Sequence, residues 1–319
     1  MMSQIMIETV NLTRDYGPNR ALDAVNLQVS RGQVMGFLGP NGAGKTTCMR
    51  ILSGLLAPTS GSVSVAGVDV VANPDVAKRK IGFLPETPPI YGELTVREYL
   101  SYLAQLRGVG GKQRRGAVDG AMARCGLTHV AERLLRNLSK GYRQRAGIAQ
   151  AIVHGPDVVI LDEPTVGLDP IQIREIRDLI KELGQEHAVM LSTHILPEVR
   201  MTCDRVAVIN GGRIVLEDSM AGLEARASEQ HGVRVRFGAP PEPAAVEALD
   251  GVAAVHVVEG GWTVLPQAGA DPIPALLAAA VTGGWDLREL TPGSNALEEV
   301  FVQLTTREES AESQQQEAA

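Results

Sequence analysis

A glycine-rich stretch near the start of the chain constrains the fold more than any other feature. An apolar run, Val34–Leu38, is followed at once by residues that match the pattern G-x-x-x-x-G-K-[ST]. These residues are Gly39, Pro40, Asn41, Gly42, Ala43, Gly44, Lys45, Thr46 and Thr47. The apolar run predicts a buried strand, and the pattern after the loop predicts a helix. A strand, a glycine loop and a helix in this order are the local structure that the motif needs.

The spacing of this motif suits the binding of a polyphosphate. Gly39, Gly42 and Gly44 let the backbone turn tightly and point consecutive N–H groups inward at an anion. A helix that begins at about Gly44 adds the positive end of its dipole. Lys45 can reach the β- and γ-phosphates, and the Thr46 hydroxyl can bind Mg²⁺. The alternative is a glycine-rich turn that merely precedes a lysine, and the flanking strand and helix favour a nucleotide site.

Length, composition and charge limit the classes of protein that this sequence can represent. At 319 residues the chain is long enough for two domains, and its 44% hydrophobic and 21% charged residues are typical of a soluble globular protein. The net charge of −7 disfavours a nucleic-acid partner, because no basic excess is present to meet phosphates. Residues 1–10 do not resemble a signal peptide. A membrane-spanning helix needs about 18 apolar residues in a row, and no apolar run in this sequence comes near that length. Three widely spaced cysteines, Cys48, Cys125 and Cys203, suit a reduced cytoplasmic compartment and are expected to be core residues.

The order of the predicted elements divides the chain into two domains. Residues 1–220 form an α/β unit that begins with short strands around a turn at Asp15–Asn19, and a helical insert interrupts this unit at about residues 89–154. Residues 221–306 follow a β-α-β-β-α-β order, which predicts a small ferredoxin-like domain that closes with a helix at Asn295–Leu304. Residues 307–319 are acidic and polar, and we expect them to be disordered.

A second apolar run, Val158–Leu161, ends in the acidic pair Asp162 and Glu163. Four apolar residues in a row are typical of a parallel strand that is covered on both faces. Asp162 then lies at the carboxyl end of the sheet beside the phosphate loop, where α/β proteins bind their ligands. Asp162 can hold Mg²⁺ directly or through water, and Glu163 can polarise an attacking water molecule. The alternative is that the pair only ends the strand and caps the next helix.

A serine and a glycine at the start of another predicted helix form a further candidate anion contact. Within Leu138-Ser139-Lys140-Gly141-Tyr142, Ser139 and Gly141 offer a hydroxyl and an amide N–H to an anion. A plain helix cap is the commoner role of such residues. The position of this stretch upstream of Asp162, together with His194 after the next predicted strand, favours the functional interpretation.

Together these motifs resemble the nucleotide-binding subunit of an ABC transporter, over essentially residues 5–220. The resemblance implies an α/β fold, namely a P-loop NTPase cassette with a mixed, mainly parallel core sheet and a helical subdomain. A small α+β C-terminal domain follows the cassette. ATP and Mg²⁺ are the implied cofactors, with Gly39–Thr47 as the family's phosphate loop.

The resemblance also implies roles for residues that the local pattern does not explain. Tyr16 matches the aromatic residue that stacks on adenine, and His194 matches the switch histidine that contacts the γ-phosphate. Leu138–Tyr142 match the family's signature L-S-G-G-Q, in which Ser139 and Gly141 keep the γ-phosphate contacts while lysine and tyrosine replace Gly and Gln. Gly167-Leu168-Asp169 match the loop that links the two sites of a dimer.

One departure from the family pattern concerns the metal. The family usually has a glutamine after the strand that corresponds to Ile81–Leu84, and here Pro85 and Glu86 stand in its place. Glu86 can still reach Mg²⁺ or its water, now with a charge. This feature, the altered signature and the stretch Ala296–Phe301 are similar to one branch of the family. That branch contains ATP-binding subunits of exporters for drugs, polysaccharides and gliding-motility systems, whose permease is a separate chain.

The resemblance therefore implies an ATPase subunit that closes as a dimer with a second ATP-binding subunit, giving a homodimer around two ATP molecules. It implies a cytoplasmic protein, peripheral on the inner face of the cell membrane through a transmembrane permease. The alternative is a soluble ABC-type ATPase that remodels ribosomes or DNA, which a single phosphate loop and the lack of sustained heptads disfavour. A regulator without turnover is disfavoured because Glu163 and His194 are both present.

Overall fold

The computed structural model describes residues 4–223, 232–258, 260–267 and 270–292. The chain divides into two compact units, Met1–Asp218 and Ser219–Ala319. The predicted closing helix at Asn295–Leu304 and the predicted disordered tail at residues 307–319 lie outside the described residues. In the described part of the chain, no helix is both long enough and apolar enough to cross a bilayer.

The first unit combines two sheets with helices between and around them. Its strands are β1 (Ile5–Tyr16), β2 (Asn19–Ser30), β3 (Val34–Leu38), β4 (Ser60–Val65), β5 (Val68–Asp69), β6 (Ile81–Leu84), β7 (Val158–Asp162), β8 (Ala188–Thr193), β9 (Arg205–Asn210) and β10 (Arg213–Ser219). Its helices are α1 (Lys45–Leu52), α2 (Pro74–Lys80), α3 (Val96–Leu106), α4 (Gly111–Arg124), α5 (Lys140–Ile152), α6 (Pro170–Glu186) and α7 (Leu196–Thr202). This mixed sheet-and-helix architecture agrees with the α/β fold that the sequence predicts.

The larger sheet places the predicted motifs side by side. Its six strands follow the order β10-β9-β3-β8-β7-β6, and the pairs of β3 with β8, β3 with β9, β7 with β8, and β6 with β7 are parallel. Leu38 at the end of β3 pairs with Thr193 at the end of β8. Asp162 at the end of β7 pairs with Ser192 on the same β8. The carboxyl ends of three central strands therefore meet at one edge, which is where parallel sheets bind ligands.

The smaller sheet of the first unit is antiparallel, in the order β2-β1-β4-β5. Helix α1 packs between the two sheets, where Met49 and Leu52 are buried in one apolar cluster that both sheets share. Helices α3, α4 and α5 pack together as a helical insert, and α5 also contacts β6 and β7. Thr95 begins α3 with a capping box in which its side chain and that of Glu98 bond reciprocally to backbone N–H groups.

The three cysteines belong to the packed interior and form no disulfide with one another. Burial raises the pKa of the Cys48 and Cys125 thiols to about 12, and it also raises the pKa of Cys203. Thiols with such high pKa values are protonated at neutral pH, so these residues are inert core side chains.

The second unit is a small α+β domain with its own core. Its elements are β11 (Val233–Phe237), α8 (Pro243–Glu247), β12 (Val252–Val258), β13 (Gly261–Pro266), α9 (Ile273–Gly283) and β14 (Leu287–Pro292). The four strands follow the order β12-β13-β11-β14 with antiparallel pairs throughout. The described elements follow the β-α-β-β-α-β order that the sequence predicts. Val235, Trp262, Val264 and Leu276 form the centre of its apolar core.

Candidate active site

The phosphate loop joins a fully buried strand to the first helix. All five residues of β3 are buried, and α1 starts after Gly44, whose φ of 107° lies in a region that favours glycine. A Cβ atom at Gly44 would also lie 2.5 Å from the carbonyl oxygen of Ala21, and one at Gly39 would collide with the carbonyl oxygen of Ile209. Two of the motif's glycines are thus required by the close approach of neighbouring backbone.

Lys45 holds its ammonium group at the mouth of this loop. Its Nζ donates hydrogen bonds to the carbonyl oxygens of Gly39 at 2.7 Å and Pro40 at 2.9 Å. The same nitrogen lies 3.7 Å from Oε1 of Glu163, and both side chains are buried. A buried ammonium with carbonyl and carboxylate neighbours is a fixed positive charge beside the loop amides, which suits an incoming phosphate.

Asp162 lies next to the hydroxyl of Thr46, at the edge where β7 and β8 end. Thr46 Oγ1 is 3.5 Å from Oδ1 of Asp162, and the aspartate is buried. The same Oδ1 accepts a 2.6 Å hydrogen bond from Oγ of Ser192. A hydroxyl and a carboxylate this close offer the hard oxygen ligands that Mg²⁺ prefers.

Ser192 belongs to this site, although the sequence does not predict it. Its Oγ donates to Asp162 and accepts a 2.9 Å hydrogen bond from the backbone N–H of Glu163, so it holds both acidic residues. The only signal in the sequence is that a serine stands at the end of an apolar strand. That signal becomes informative when the register of β7 with β8 is known, because Asp162 and Ser192 pair directly.

Glu163 adopts an unusual backbone conformation that directs its side chain toward His194. Its φ is 48°, in the left-handed region that non-glycine residues seldom adopt and that costs about 1–2 kcal/mol. Both carboxylate oxygens lie 3.1 Å from Nδ1 of His194. Because an ionised carboxylate can only accept, His194 donates from Nδ1 in this contact. Strain of this kind is concentrated at functional sites, where the surrounding hydrogen bonds hold it in place.

A cavity of about 300 Å³ brings most of the predicted residues together. It is lined by Ala21, Asn41, Gly42, Gly44, Lys45, Thr46, Thr47, Glu86, Glu163, Val166 and His194. Glu86 comes from the segment after β6 and lines the same cavity as the phosphate loop. In the described residues no cluster of three or more His, Cys, Asp or Glu side chains could hold a metal by itself. Mg²⁺ often uses one or two carboxylates and completes its shell with water and substrate phosphates, so Thr46, Asp162 and Glu86 fit it.

Seven predicted residues do not line this cavity, namely Tyr16, Gly39, Pro40, Ala43, Ser139, Gly141 and Asp162. Three of them, Tyr16, Ser139 and Gly141, belong neither to the phosphate loop nor to β7. Tyr16 ends β1 with 44% of its surface exposed, and the Arg14 guanidinium lies 4.7 Å from the ring centroid. Ser139 caps α5, with its Oγ accepting from the backbone N–H of Tyr142 at 3.4 Å. Gly141 is buried so tightly that a Cβ atom there would lie 2.5 Å from Oε1 of Gln172. One chain therefore assembles only part of the predicted residue set around its cavity.

The chain is similar to a known protein family and to many individual proteins, among them the following. The family model described as ABC transporter matches residues 22–166. The bacitracin transport ATP-binding protein of Bacillus licheniformis is 35% identical over 308 residues, which cover 94% of this chain and 97% of that protein. The daunorubicin resistance ATP-binding protein of Streptomyces coeruleorubidus is 36% identical over 225 residues, which cover 70% of this chain and 71% of that protein. The dimeric post-hydrolysis structure of the ATP-binding cassette MJ0796 with ADP and Pi has a TM-score of 0.61 at 26% identity and covers 67% of this chain and 99% of that chain.

Proposed function

This chain belongs to the ABC transporter family as an ATP-binding subunit that hydrolyses ATP, and on that premise we propose that it powers export through a separate membrane permease. The relatives named for bacitracin transport and daunorubicin resistance support this direction of transport. Neither relative is named for ribosome or DNA remodelling, and that alternative is not proposed.

The observation that carries the proposal is that the Glu163 carboxylate lies between His194 and Lys45, two side chains that can bind a phosphate. Its carboxylate lies 3.1 Å from His194 and 3.7 Å from Lys45, on the wall of the cavity that the phosphate loop lines. Phosphoryl transfer needs positioned donors for the phosphate oxygens and an oriented water. We assign Lys45 and the loop amides to the phosphates, Glu163 to the water, and His194 to the γ-phosphate.

The metal is assigned to the oxygen atoms beside the loop. Thr46 and Asp162 would hold Mg²⁺, with Glu86 contributing directly or through water, because their hydroxyl and carboxylate groups suit a hard cation. When bound, Mg²⁺ would neutralise negative charge on the phosphate oxygens. Ser192 fixes the Asp162 carboxylate by its 2.6 Å hydrogen bond and so keeps that oxygen beside the Thr46 hydroxyl.

The remaining site residues are assigned to a dimer of two ATP-binding subunits. Ser139 and Gly141 would contact the γ-phosphate bound by the second subunit, which explains why neither lines the cavity of its own chain. Tyr16 would stack on adenine with the ring face that Arg14 leaves open. The dimeric post-hydrolysis cassette with ADP and Pi supports an arrangement of two subunits around nucleotide.

The proposed location of the chain follows from its binding to the permease. We assign the protein to the cytoplasmic face of the cell membrane, held there by the permease, and we assign no nucleic-acid partner. Residues 1–220 form the cassette, with the helical subdomain at about residues 89–154. Residues 221–306 are an accessory domain without a phosphate loop of its own, and we assign it to regulation or dimerisation.

Purified chain tests this function directly. ATP hydrolysis should require Mg²⁺, disappear in EDTA and rise when the chain is purified together with the permease encoded beside it. Membrane vesicles that contain the pair should move the substrate only with hydrolysable ATP. Hydrolysis that is unaffected by any co-expressed membrane protein and is instead stimulated by ribosomes or DNA would overturn the transport assignment.

A further inference from the structure

A buried carboxylate outside the cavity connects two loops of the active site. Glu198 lies on α7 and is only 6% exposed. Its Oε2 accepts a 2.7 Å hydrogen bond from Oγ1 of Thr165 and a 3.0 Å hydrogen bond from Oγ1 of Thr193. Burial of a carboxylate is unfavourable unless hydrogen bonds compensate, and bonds to an ionised acceptor are the stronger kind. The three side chains therefore form a fixed link and not a chance contact at the surface.

The two hydroxyls belong to segments that carry the reacting groups. Thr165 is two residues after Glu163, and Thr193 directly precedes His194. The Thr193 hydroxyl also accepts a 3.0 Å hydrogen bond from the backbone N–H of Ile195, so the turn on both sides of His194 is held. The Thr193 carbonyl oxygen in turn accepts from the backbone N–H of Gly39 at 3.4 Å. One carboxylate thus fixes the segment after Glu163 against the segment that carries His194, next to the start of the phosphate loop.

We propose that Glu198 is a positioning residue for ATP hydrolysis, which sets the Glu163–His194 contact by accepting both threonine hydroxyls. This inference rests on the proposed function, because it assigns Glu163 and His194 to the chemistry. Without the acceptor, Thr165 and Thr193 lose their common partner, and the two loops can shift independently. A displacement of about 1 Å can lower a rate by about 100-fold when reacting groups must be aligned. Binding of ATP, which depends mainly on Lys45 and the loop amides, is expected to change little.

The geometry makes the test specific, because both hydroxyls donate to the same oxygen atom. A glutamine can place its single carbonyl oxygen at that position and keep both hydrogen bonds. Glu198→Gln should therefore keep kcat within about twofold of the wild type, whereas Glu198→Leu should lower kcat by about tenfold or more with KM for ATP almost unchanged. Rescue by glutamine separates the acceptor role from a role of the negative charge.

Thr165→Val removes one donor with little change in shape, and Thr202→Val is its matched control. Thr165 is 3% exposed and Thr202 is 5% exposed, and Oγ1 of Thr202 has no hydrogen-bond partner among the described residues. Thr202 also lies on α7, the helix of Glu198. Thr165→Val should lower kcat as Glu198→Leu does, while Thr202→Val should leave kcat unchanged. The double variant of Thr165→Val with Glu198→Leu should be no slower than Glu198→Leu alone, because both changes break one link.

The experiment measures kcat and KM for ATP with the purified full chain, and the NMR chemical shifts of the His194 ring in the presence of ADP. The ring resonances should move in Glu198→Leu and Thr165→Val and stay in place in Glu198→Gln. If wild-type chain hydrolysed no ATP, the proposed function would fail, while the NMR comparison would still decide whether Glu198 positions His194. Additive losses of kcat, a Glu198→Gln variant as slow as Glu198→Leu, or an unmoved His194 ring in every variant would overturn the inference.

Discussion

The Glu163 carboxylate faces Nδ1 of His194 with both oxygens at 3.1 Å, while Oε1 lies 3.7 Å from Nζ of Lys45. The Lys45 ammonium and the Nδ1 atom of His194 therefore share one carboxylate on the wall of the cavity. In the proposed role of Glu163 as the base, its carboxylate would be oriented from both sides before any water arrives, which would lower the cost of organising the reacting groups.

Replacement of Glu163 should separate ATP binding from hydrolysis. Glu163→Gln keeps the shape of the side chain but removes the charged acceptor for the attacking water, so kcat should fall by about 100-fold or more. The loop amides and Lys45 remain, so the Kd for ATP measured by nucleotide fluorescence should stay within a few-fold of the wild type. Full activity in this variant would remove Glu163 from the chemical role.

Glu86 should act through an oxygen atom and not through its charge. If its carboxylate serves the Mg²⁺ shell, Glu86→Gln keeps one oxygen ligand and should be tolerated, whereas Glu86→Ala should lower Mg²⁺-dependent turnover by about tenfold or more. Titration of ATPase activity with Mg²⁺ measures the difference. Glu93→Ala is the control, since this exposed carboxylate pairs with Arg136 and does not line the cavity. Equal activity of all Glu86 variants would make Glu86 a turn residue only.

His154 should lower the free energy of unfolding of the first unit at acidic pH. Burial, and then the charge of Arg107, lower the pKa of His154 to about 4 from the ordinary value of 6.5. Below about pH 6.5, His154 therefore binds a proton in the unfolded chain but not in the folded chain. The contribution of His154 to the free energy of unfolding is present above about pH 6.5 and is lost as the pH falls toward 4. Between pH 7 and pH 5 this contribution amounts to about 2 kcal/mol of unfolding free energy.

Urea unfolding of wild type and His154→Gln at pH 7 and pH 5 measures this contribution. The variant should lose less stability on acidification than the wild type does. His129→Gln, which changes an exposed histidine in the same unit, is the control and should keep the wild-type loss. An identical loss of stability in all three proteins would show that His154 does not exclude a proton in the folded chain.

Local sequence patterns predict the parts of the site that one segment builds. The run Val34–Leu38 and the run Val158–Leu161 are buried strands in the structure, because strands covered on both faces leave a continuous apolar signature. Gly44 starts α1 after the loop, as the motif requires. These features depend on residues that are neighbours in sequence, so the sequence alone is sufficient to predict them.

Contacts between segments could not be predicted in the same way. Ser192 bridges Asp162 and Glu163 only because β7 and β8 are adjacent, and strand order is not written in any single segment. Glu198 is a similar case, since a glutamate within a short helix usually faces solvent and this one is buried against two threonines. Both residues have polar side chains of a kind that occurs throughout the surface of a protein.

The first two strands differ from the prediction for another reason. The sequence predicts short strands around a turn, whereas β1 and β2 each extend over 12 residues. Their pairing shifts register at several points, and Asn11 and Ala24 adopt left-handed backbone conformations with φ of 49° and 50°. Bulges of this kind interrupt the alternation of apolar and polar residues without ending the strand. A pattern of period two therefore underestimates the length of a bulged strand.

Removal of the second unit should leave nucleotide binding intact. The cavity is lined by residues from Ala21 to His194, all within the unit that ends at Asp218. A chain that ends at Leu223 should bind ATP with a Kd within a few-fold of the full-length value. Circular dichroism verifies that the shortened chain is folded, and sedimentation reports any change in dimerisation. Complete loss of ATP binding in a folded truncation would contradict an accessory role for residues 221–306.

Two inactive variants should regain ATPase activity when they are mixed, if each active site is shared between two subunits. Lys45→Ala removes the ammonium group from the phosphate loop. Ser139→Arg places a bulky charged side chain at the start of α5, where Ser139 does not line the cavity of its own chain. A transition state with charge on three equatorial oxygens needs donors from more than one side, so the second subunit would supply Ser139 and Gly141. In a mixed dimer one site carries both defects and the other carries neither. Partial recovery of ATPase activity on mixing is therefore expected.

A second mixture controls for recovery that does not depend on a shared site. Lys45 lines the cavity of its own chain, and Asp162 lies beside Thr46, which lines the same cavity. In the mixed dimer of Lys45→Ala and Asp162→Asn, every site therefore contains one defect. This mixture should remain inactive at the same protein concentrations. Activity is measured with the permease present if the isolated subunits turn over slowly. If each chain held a complete site, the Lys45→Ala and Ser139→Arg mixture would stay as inactive as the control, and the composite arrangement would have to be abandoned.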